Sequence, residues 1–356
     1  MRKMVFGAVL GAIAALQPAP VHAEPSRIEQ IRERLLNANR WRDHVMVVAH
    51  RGGGMDARKT RHPENSIAAV VDAIRLGVEM VELDIQKSSD GEFVIFHDSW
   101  LDRSSDCHGQ LAGRTLAELK QCHLVIEGTG AVTDERIPTL AEMLAVTRDR
   151  IFINIDNKLD LEALPDIVAV ARHMGMADQL VIKSNLWNVE RISKMAEILE
   201  QTGEGPIFMP IVADDAVRDT RFLELVSSTF KADAVELIAW QKPGEAMTGT
   251  GGPLFSALAR AVASRGDWHL WVNTYAIANK PGGMLSGGRG DELAVLADFP
   301  AETYGFWADR GATIIQTDEP TAAIQWLEHN GYRKPYGGEA PASAQQAALA
   351  EIPPGQ

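Results

Sequence analysis

Along this chain short apolar runs alternate with stretches in which apolar residues recur every three or four positions, the pattern of strands and helices taken in turn. Strand-like runs stand at 45–49, 80–87, 151–158, 180–183, 207–212, 234–240, 269–275 and 313–317, with a shorter one at 93–97 that extends the second. Helical patterns lie between them. The first covers about 24–42, with Ile28, Ile31, Leu35 and Leu36 roughly on one side, and the last covers 321–329. Eight strand and helix units in alternation predict a parallel sheet covered by helices and closed as a TIM (β/α)8 barrel. An open doubly wound sheet is the alternative, but no Gly-x-Gly-x-x-Gly follows the first strand and no Walker motif is present.

Both periods fail over 99–137, which reads as a small insertion after the second βα unit region. From 333 to 356 the chain turns to Gly, Pro, Ala, Gln and Glu, the composition of an unstructured tail. Residues 1–23 combine Arg2 and Lys3, an apolar run from Met4 to Leu16, and Val21-His22-Ala23 before the cut. That is the layout of a signal peptide, and the run is too short to span a bilayer. The expected organisation is therefore a leader at 1–23, a helix at 24–44, a barrel at 45–332 and a tail at 333–356.

The leader implies export to the periplasm or the medium, with no stable membrane insertion afterwards. Its removal leaves 333 residues and takes the formal charge from −13 to −15. So acidic a chain is not drawn to nucleic acid by its overall field. Any anionic ligand must be held by local positive charge. Two cysteines, Cys107 and Cys122, both fall in the exported part, where an even count suggests one disulfide and two buried free thiols are the alternative.

Several strands carry charge where a barrel core expects none. Val45 to Ala49 stops on His50-Arg51-Gly52, so an apolar strand feeds an imidazole and a guanidinium into the following loop. Glu82 and Asp84 are two apart and share one face of their strand, while Val81, Leu83 and Ile85 share the other. Two carboxylates on one face repel unless a cation lies between them. With Asp156 they read as ligands of one hard divalent ion, Ca²⁺ or Mg²⁺; salt-bridged carboxylates on an edge strand are the bland alternative. Lys158 shares the face of Asp156, and Lys183 and Glu236 have inward phase on later strands, as a phosphate contact and its partner or as a structural pair. His50 and His97 can divide the proton transfers of a hydrolysis, because imidazole titrates near working pH.

In order along the chain stand His50-Arg51-Gly52, Pro63-Glu64-Asn65-Ser66, Glu82-Leu83-Asp84, Asp90-Gly91, His97-Asp98 and Leu101-Asp102-Arg103. This series resembles the glycerophosphodiester phosphodiesterase family, sharply over about 47–160 and again at Thr317-Asp318-Glu319-Pro320. The resemblance implies a metal-dependent hydrolase acting on a small phosphodiester, either a glycerophosphodiester or a lysolipid. It implies His50 and His97 as acid and base, Arg51 and Lys158 on the phosphate, and Glu82, Asp84 and Asp156 on the metal. Cleavage through a cyclic phosphate and a barrel that binds without reacting are the alternatives. Two departures from the family pattern stand out. Asp156 replaces a Glu common in the family, and Leu270-Trp271-Val272-Asn273 carries Trp271 where a Thr is expected, which places Trp271 and Asn273 in a changed substrate pocket. Asn65 is expected either to follow the family pattern or to cap the helix after it.

Overall fold

The computed structural model describes residues 25–56, 59–275 and 284–337; the expected leader lies outside them. Eight strands, β1 (Met46–Ala49), β2 (Met80–Lys87), β3 (Phe152–Asn157), β4 (Leu180–Asn185), β5 (Ile207–Ala213), β6 (Ala234–Ile238), β7 (His269–Asn273) and β8 (Ala312–Thr317), pair in parallel in chain order. β1 pairs with both β2 and β8, which closes the expected barrel. A short strand, Phe93–Ile95, adds antiparallel to β2 through Ile85 and Ile95.

The two-residue period of the strands separates two cores. Outward residues such as Val47, Leu83, Ile155, Leu237 and Ile315 pack beneath the surrounding helices. Inward residues Met46, Val48, Met80, Phe152, Met209, Trp271 and Ile314 fill the amino-terminal part of the barrel. One step further along the strands, the inward positions become polar. The polar layer therefore stands on an apolar floor.

Helix Arg27–Leu36 covers that floor from below. Glu29 accepts from the Ser26 backbone N–H at 2.7 Å and fixes its first turn, and Ile28, Ile31 and Leu35 join the inner cluster. Leu36, expected on the same side, is 38% exposed, since it lies about 100° around the helix from Leu35. The unstructured tail expected from 333 does not begin there. Arg34 donates to the carbonyls of Lys334 and Pro335 at 3.0 and 2.9 Å, Arg333 pairs with buried Glu79 at 2.8 Å, and Tyr336 is buried. A composition poor in apolar residues concealed these side-chain anchors; residues 338–356 lie outside the described residues.

The insertion lies inside the second βα unit, between the β2 hairpin and helix Leu140–Thr147, rather than after that unit. It has a core of its own, in which Phe96, Leu101, Leu111, Leu119 and Leu124 surround Cys122, and Cys107 is bonded to Cys122. Replacing both cysteines with serine is expected to destabilise the protein by about 3 kcal/mol, from the closure entropy of so short a loop. Urea unfolding measures this as a lowered midpoint at unchanged slope. A midpoint equal to that of the wild type would mean the lobe's apolar core suffices.

Candidate active site

β1 ends at Ala49, and the chain turns sharply through His50–Gly52 with Arg51 at φ 50. Gly53 is needed in this turn: at φ 84 its added Cβ would lie 2.9 Å from Pro320 Cγ and 3.1 Å from Ala49 Cβ. The turn packs the first loop against the start of the last helix, Pro320–His329. It also aims the Arg51 backbone N–H at Glu82 Oε2, 3.1 Å away.

Register brings the three expected acids together. Glu82 lies beside Asn154 and Asp84 beside Asp156 across β2 and β3, and one oxygen from each of Glu82, Asp84 and Asp156 lies within 4.8 Å of the others. Burial and the neighbouring Asp84 push the Glu82 carboxyl up to about 8. Burial alone would raise Asp84 as well, but Lys158 and Arg51 hold it well below the usual carboxylate range. Three oxygen donors converging at this distance, with one carboxyl left short of positive charge, suit a hard divalent cation.

The cations of the site interleave with these acids. Lys158 Nζ is 2.9 Å from Asp84 Oδ1 and 2.8 Å from Asp156 Oδ2. Lys183 Nζ lies 3.6 Å from Glu82 and 3.7 Å from Glu236, and although burial favours its neutral form, these acids keep it charged. Glu236 accepts from Asn273 at 2.7 Å, and Asn273 Oδ1 accepts from Trp271 Nε1 at 2.8 Å. Trp271 is therefore no part of a substrate pocket. It is fully buried in the barrel floor, because inward phase near the start of β7 places it one layer below Asn273. Its link to the polar layer is the hydrogen bond to Asn273, which in turn donates to Glu236.

His50 and His97 each have an aspartate on Nδ1. His50 Nδ1 is 2.7 Å from Asp318 Oδ1, and its ring stacks on Tyr275 with centroids 3.6 Å apart. Asp318 is held in turn by its backbone N–H, which donates to buried Asp291 at 2.8 Å. His97 Nδ1 is 2.5 Å from Asp98 Oδ1. A carboxylate on Nδ1 fixes the proton there and leaves Nε2 for proton exchange.

From Asp98 a chain of alternating charge runs back to the first loop. Arg103 bonds Asp98 through Nε at 2.6 Å and Glu64 through Nη2 at 2.6 Å, and Glu64 bonds Arg51 Nη1 at 2.8 Å. One guanidinium thus orients both the His97 dyad and Arg51. Arg103→Gln is expected to lower kcat/KM about 10- to 100-fold, the worth of one or two charged hydrogen bonds, with partial recovery in Arg103→Lys. Steady-state kinetics on the purified variants check it; an unchanged kcat/KM would leave Arg103 with a structural role alone.

Asn65 proves to be no helix cap. Ser66 caps helix Ile67–Leu76 by accepting from the Ala69 N–H at 3.0 Å, whereas Asn65, at φ 59, donates to Asp84 Oδ2 at 2.8 Å and accepts from the Asp84 N–H at 3.2 Å. The sequence assigns no role to Asp318, Asp291, Tyr275 or Arg103. Arg103 and Asp318 nevertheless stand in the series that carries the family resemblance, and Asp318 also continues the inward phase of Ile314 and Gln316 past the end of β8.

A model of the glycerophosphoryl diester phosphodiesterase family matches residues 50–245, more than half of the chain. The chain belongs to this family. A second match, to a domain of unknown function, covers 208–327. Among members of the family, a glycerophosphodiester phosphodiesterase of Caldanaerobacter subterraneus is 32% identical over 162 residues, 44% of this chain and 65% of that protein. Glycerophosphodiester phosphodiesterase 1 of Homo sapiens is 38% identical over 114 residues, 32% of this chain and 33% of that protein. The matched part thus spans less than two thirds of these relatives. The same fold is found in a glycerophosphoryl diester phosphodiesterase of Parabacteroides distasonis, with TM-score 0.61 and 18% identity over 86% of this chain and 93% of that one. It recurs in an Oleispira antarctica phosphodiesterase solved with the product sn-glycerol-3-phosphate, with TM-score 0.51 and 19% identity over 80% of this chain and 96% of that one.

Proposed function

We propose that the protein is an exported, metal-dependent phosphodiesterase that hydrolyses glycerophosphodiesters to an alcohol and glycerol phosphate. The observation that carries this reading is the pair of imidazoles, each held at Nδ1 by an aspartate, beside one cluster of three carboxylates. Export rests on the expected leader, and the disulfide between Cys107 and Cys122 suits an oxidising compartment.

Glu82, Asp84 and Asp156 would hold the divalent cation, Ca²⁺ or Mg²⁺, which when bound supplies Lewis acidity toward a phosphoryl oxygen. Arg51, Lys158 and Lys183 neutralise the phosphate and orient it. Of the histidines, one takes the proton of the attacking water at Nε2, and the other gives a proton from Nε2 to the departing alkoxide. The buried Glu82 and the Tyr275 ring against His50 limit water around the reacting groups. The Oleispira antarctica enzyme was solved with sn-glycerol-3-phosphate, and the same product is proposed for this chain.

A panel of glycerophosphodiesters and lysolipids, followed by ³¹P NMR with Ca²⁺, Mg²⁺ or EDTA, tests the reading. Release of glycerol phosphate that stops with EDTA is expected. A persistent cyclic phosphate would replace water with a substrate hydroxyl as the nucleophile, and no release under any condition would leave a binding barrel.

A further inference from the structure

A cavity of about 270 Å³ opens off the site beside the ends of β3 and β4, with Asp156 and Lys183 among its lining residues. Arg191, on helix Val189–Thr202, lines it as well. Its Nε donates to the Asn185 carbonyl at 3.3 Å, its Nη2 to Ser184 Oγ at 3.4 Å, and its guanidinium lies 5.0 Å from the Trp187 ring centroid. The hydrogen bonds that fix this guanidinium come from neutral groups, and among the described residues it has no direct ion pair, although its charge also acts on Glu162 across the cavity wall. Lys194, on the same helix, is neutralised by Glu162 at 2.9 Å. Asp160, also lining the cavity, uses its carbonyl to accept from Asn157 at 3.0 Å, while among the described residues its carboxylate has no hydrogen bond or ion pair. The cavity thus presents one guanidinium and one exposed carboxylate, neither held in a direct ion pair among the described residues, next to Asp156 and Lys183.

We infer that this cavity is the head-group subsite and that it takes an alcohol of amino-acid type, carrying both a carboxylate and a primary ammonium. The inference rests on the phosphodiesterase reading above. A glycerol arm is neutral and gains no charged contact with Arg191 or Asp160, whereas a charged arm of the diester can meet both, so the charged arm is assigned here. Arg191 offers a planar fork that matches a carboxylate, and Asp160 accepts from an N–H donor. A quaternary ammonium has no such donor and brings positive charge beside Arg191, whose guanidinium already covers the nearby aromatic ring.

The test uses the full protein with saturating Mg²⁺ or Ca²⁺ and three substrates: glycerophosphoserine, glycerophosphocholine and glycerophosphoglycerol. In the wild type, kcat/KM for the serine diester is expected to exceed that for each of the others by about tenfold or more, the effect of one well-made charged contact. Arg191→Gln should bring the serine-to-glycerol ratio to about one, mainly through KM, and Asp160→Asn, on a different loop, should lower it independently. Circular dichroism confirms that each variant is folded. A ratio near one in the wild type, or one that neither substitution changes, overturns the subsite and leaves hydrolysis standing. Failure to hydrolyse all three substrates overturns the phosphodiesterase reading, and the subsite with it.

Discussion

Alanine in place of His97 or of His50 is expected to lower turnover of a glycerophosphodiester by roughly 10²- to 10⁴-fold, the range for loss of a general acid or base. His97 is half-buried and touches Asp98, so its removal should barely change stability. His50 is buried, paired to Asp318 and stacked on Tyr275, and its loss should add a modest destabilisation of about 1 kcal/mol from the aromatic contact alone. Asp318→Asn separates placement from chemistry. It keeps the shape but not the charge that fixes the His50 proton on Nδ1, and should lower kcat with little change in KM. Turnover under saturating metal, together with thermal unfolding, measures all three. Near-native turnover in either alanine variant would remove that histidine from the reaction.

Asp84→Asn is expected to abolish measurable binding of Ca²⁺ and Mg²⁺ and to reduce activity by at least about 10²-fold, since a hard cation loses the carboxylate charge it depends on. Asp156→Asn should be milder and partly rescued by raised metal. The contrast follows from their surroundings. Asp84 is buried and held by Lys158, Arg51 and Asn65, so a carboxamide there leaves several cationic and polar partners mismatched. Asp156 is 35% exposed at its side chain, where water can replace a lost ligand. Isothermal titration of each ion into the wild type and both variants reads this without relying on turnover. Unchanged affinity in both variants would mean the three carboxylates do not form a cation site.

The alternation of apolar runs was sufficient to place the eight strands and the barrel, because burial on both faces of a parallel strand leaves a signal that needs no partner to read. Two-residue spacing likewise determined that Glu82 and Asp84 share a face, and strand ends placed His50, Arg51 and Lys158 at the site. Inward phase alone did not settle Trp271: the same phase serves a floor residue and a rim residue, and only depth along β7 separates them. The partners that make the histidines useful were decided by closure of the barrel. Asp318 follows the last strand and reaches the loop after the first because β8 pairs with β1, and Arg103 comes from the insertion to join Asp98 to Glu64. Arg333 and Tyr336 lie in a segment whose composition predicts no order, yet Glu79 and Arg34 hold it against the barrel. Periodicity is a local property of the chain, so the sequence by itself determined the elements and the face each residue occupies. A hydrogen bond between residues 268 positions apart, as in His50 and Asp318, exists only once the sheet has closed, which is why the tertiary structure alone decided what orients the imidazoles of the candidate site.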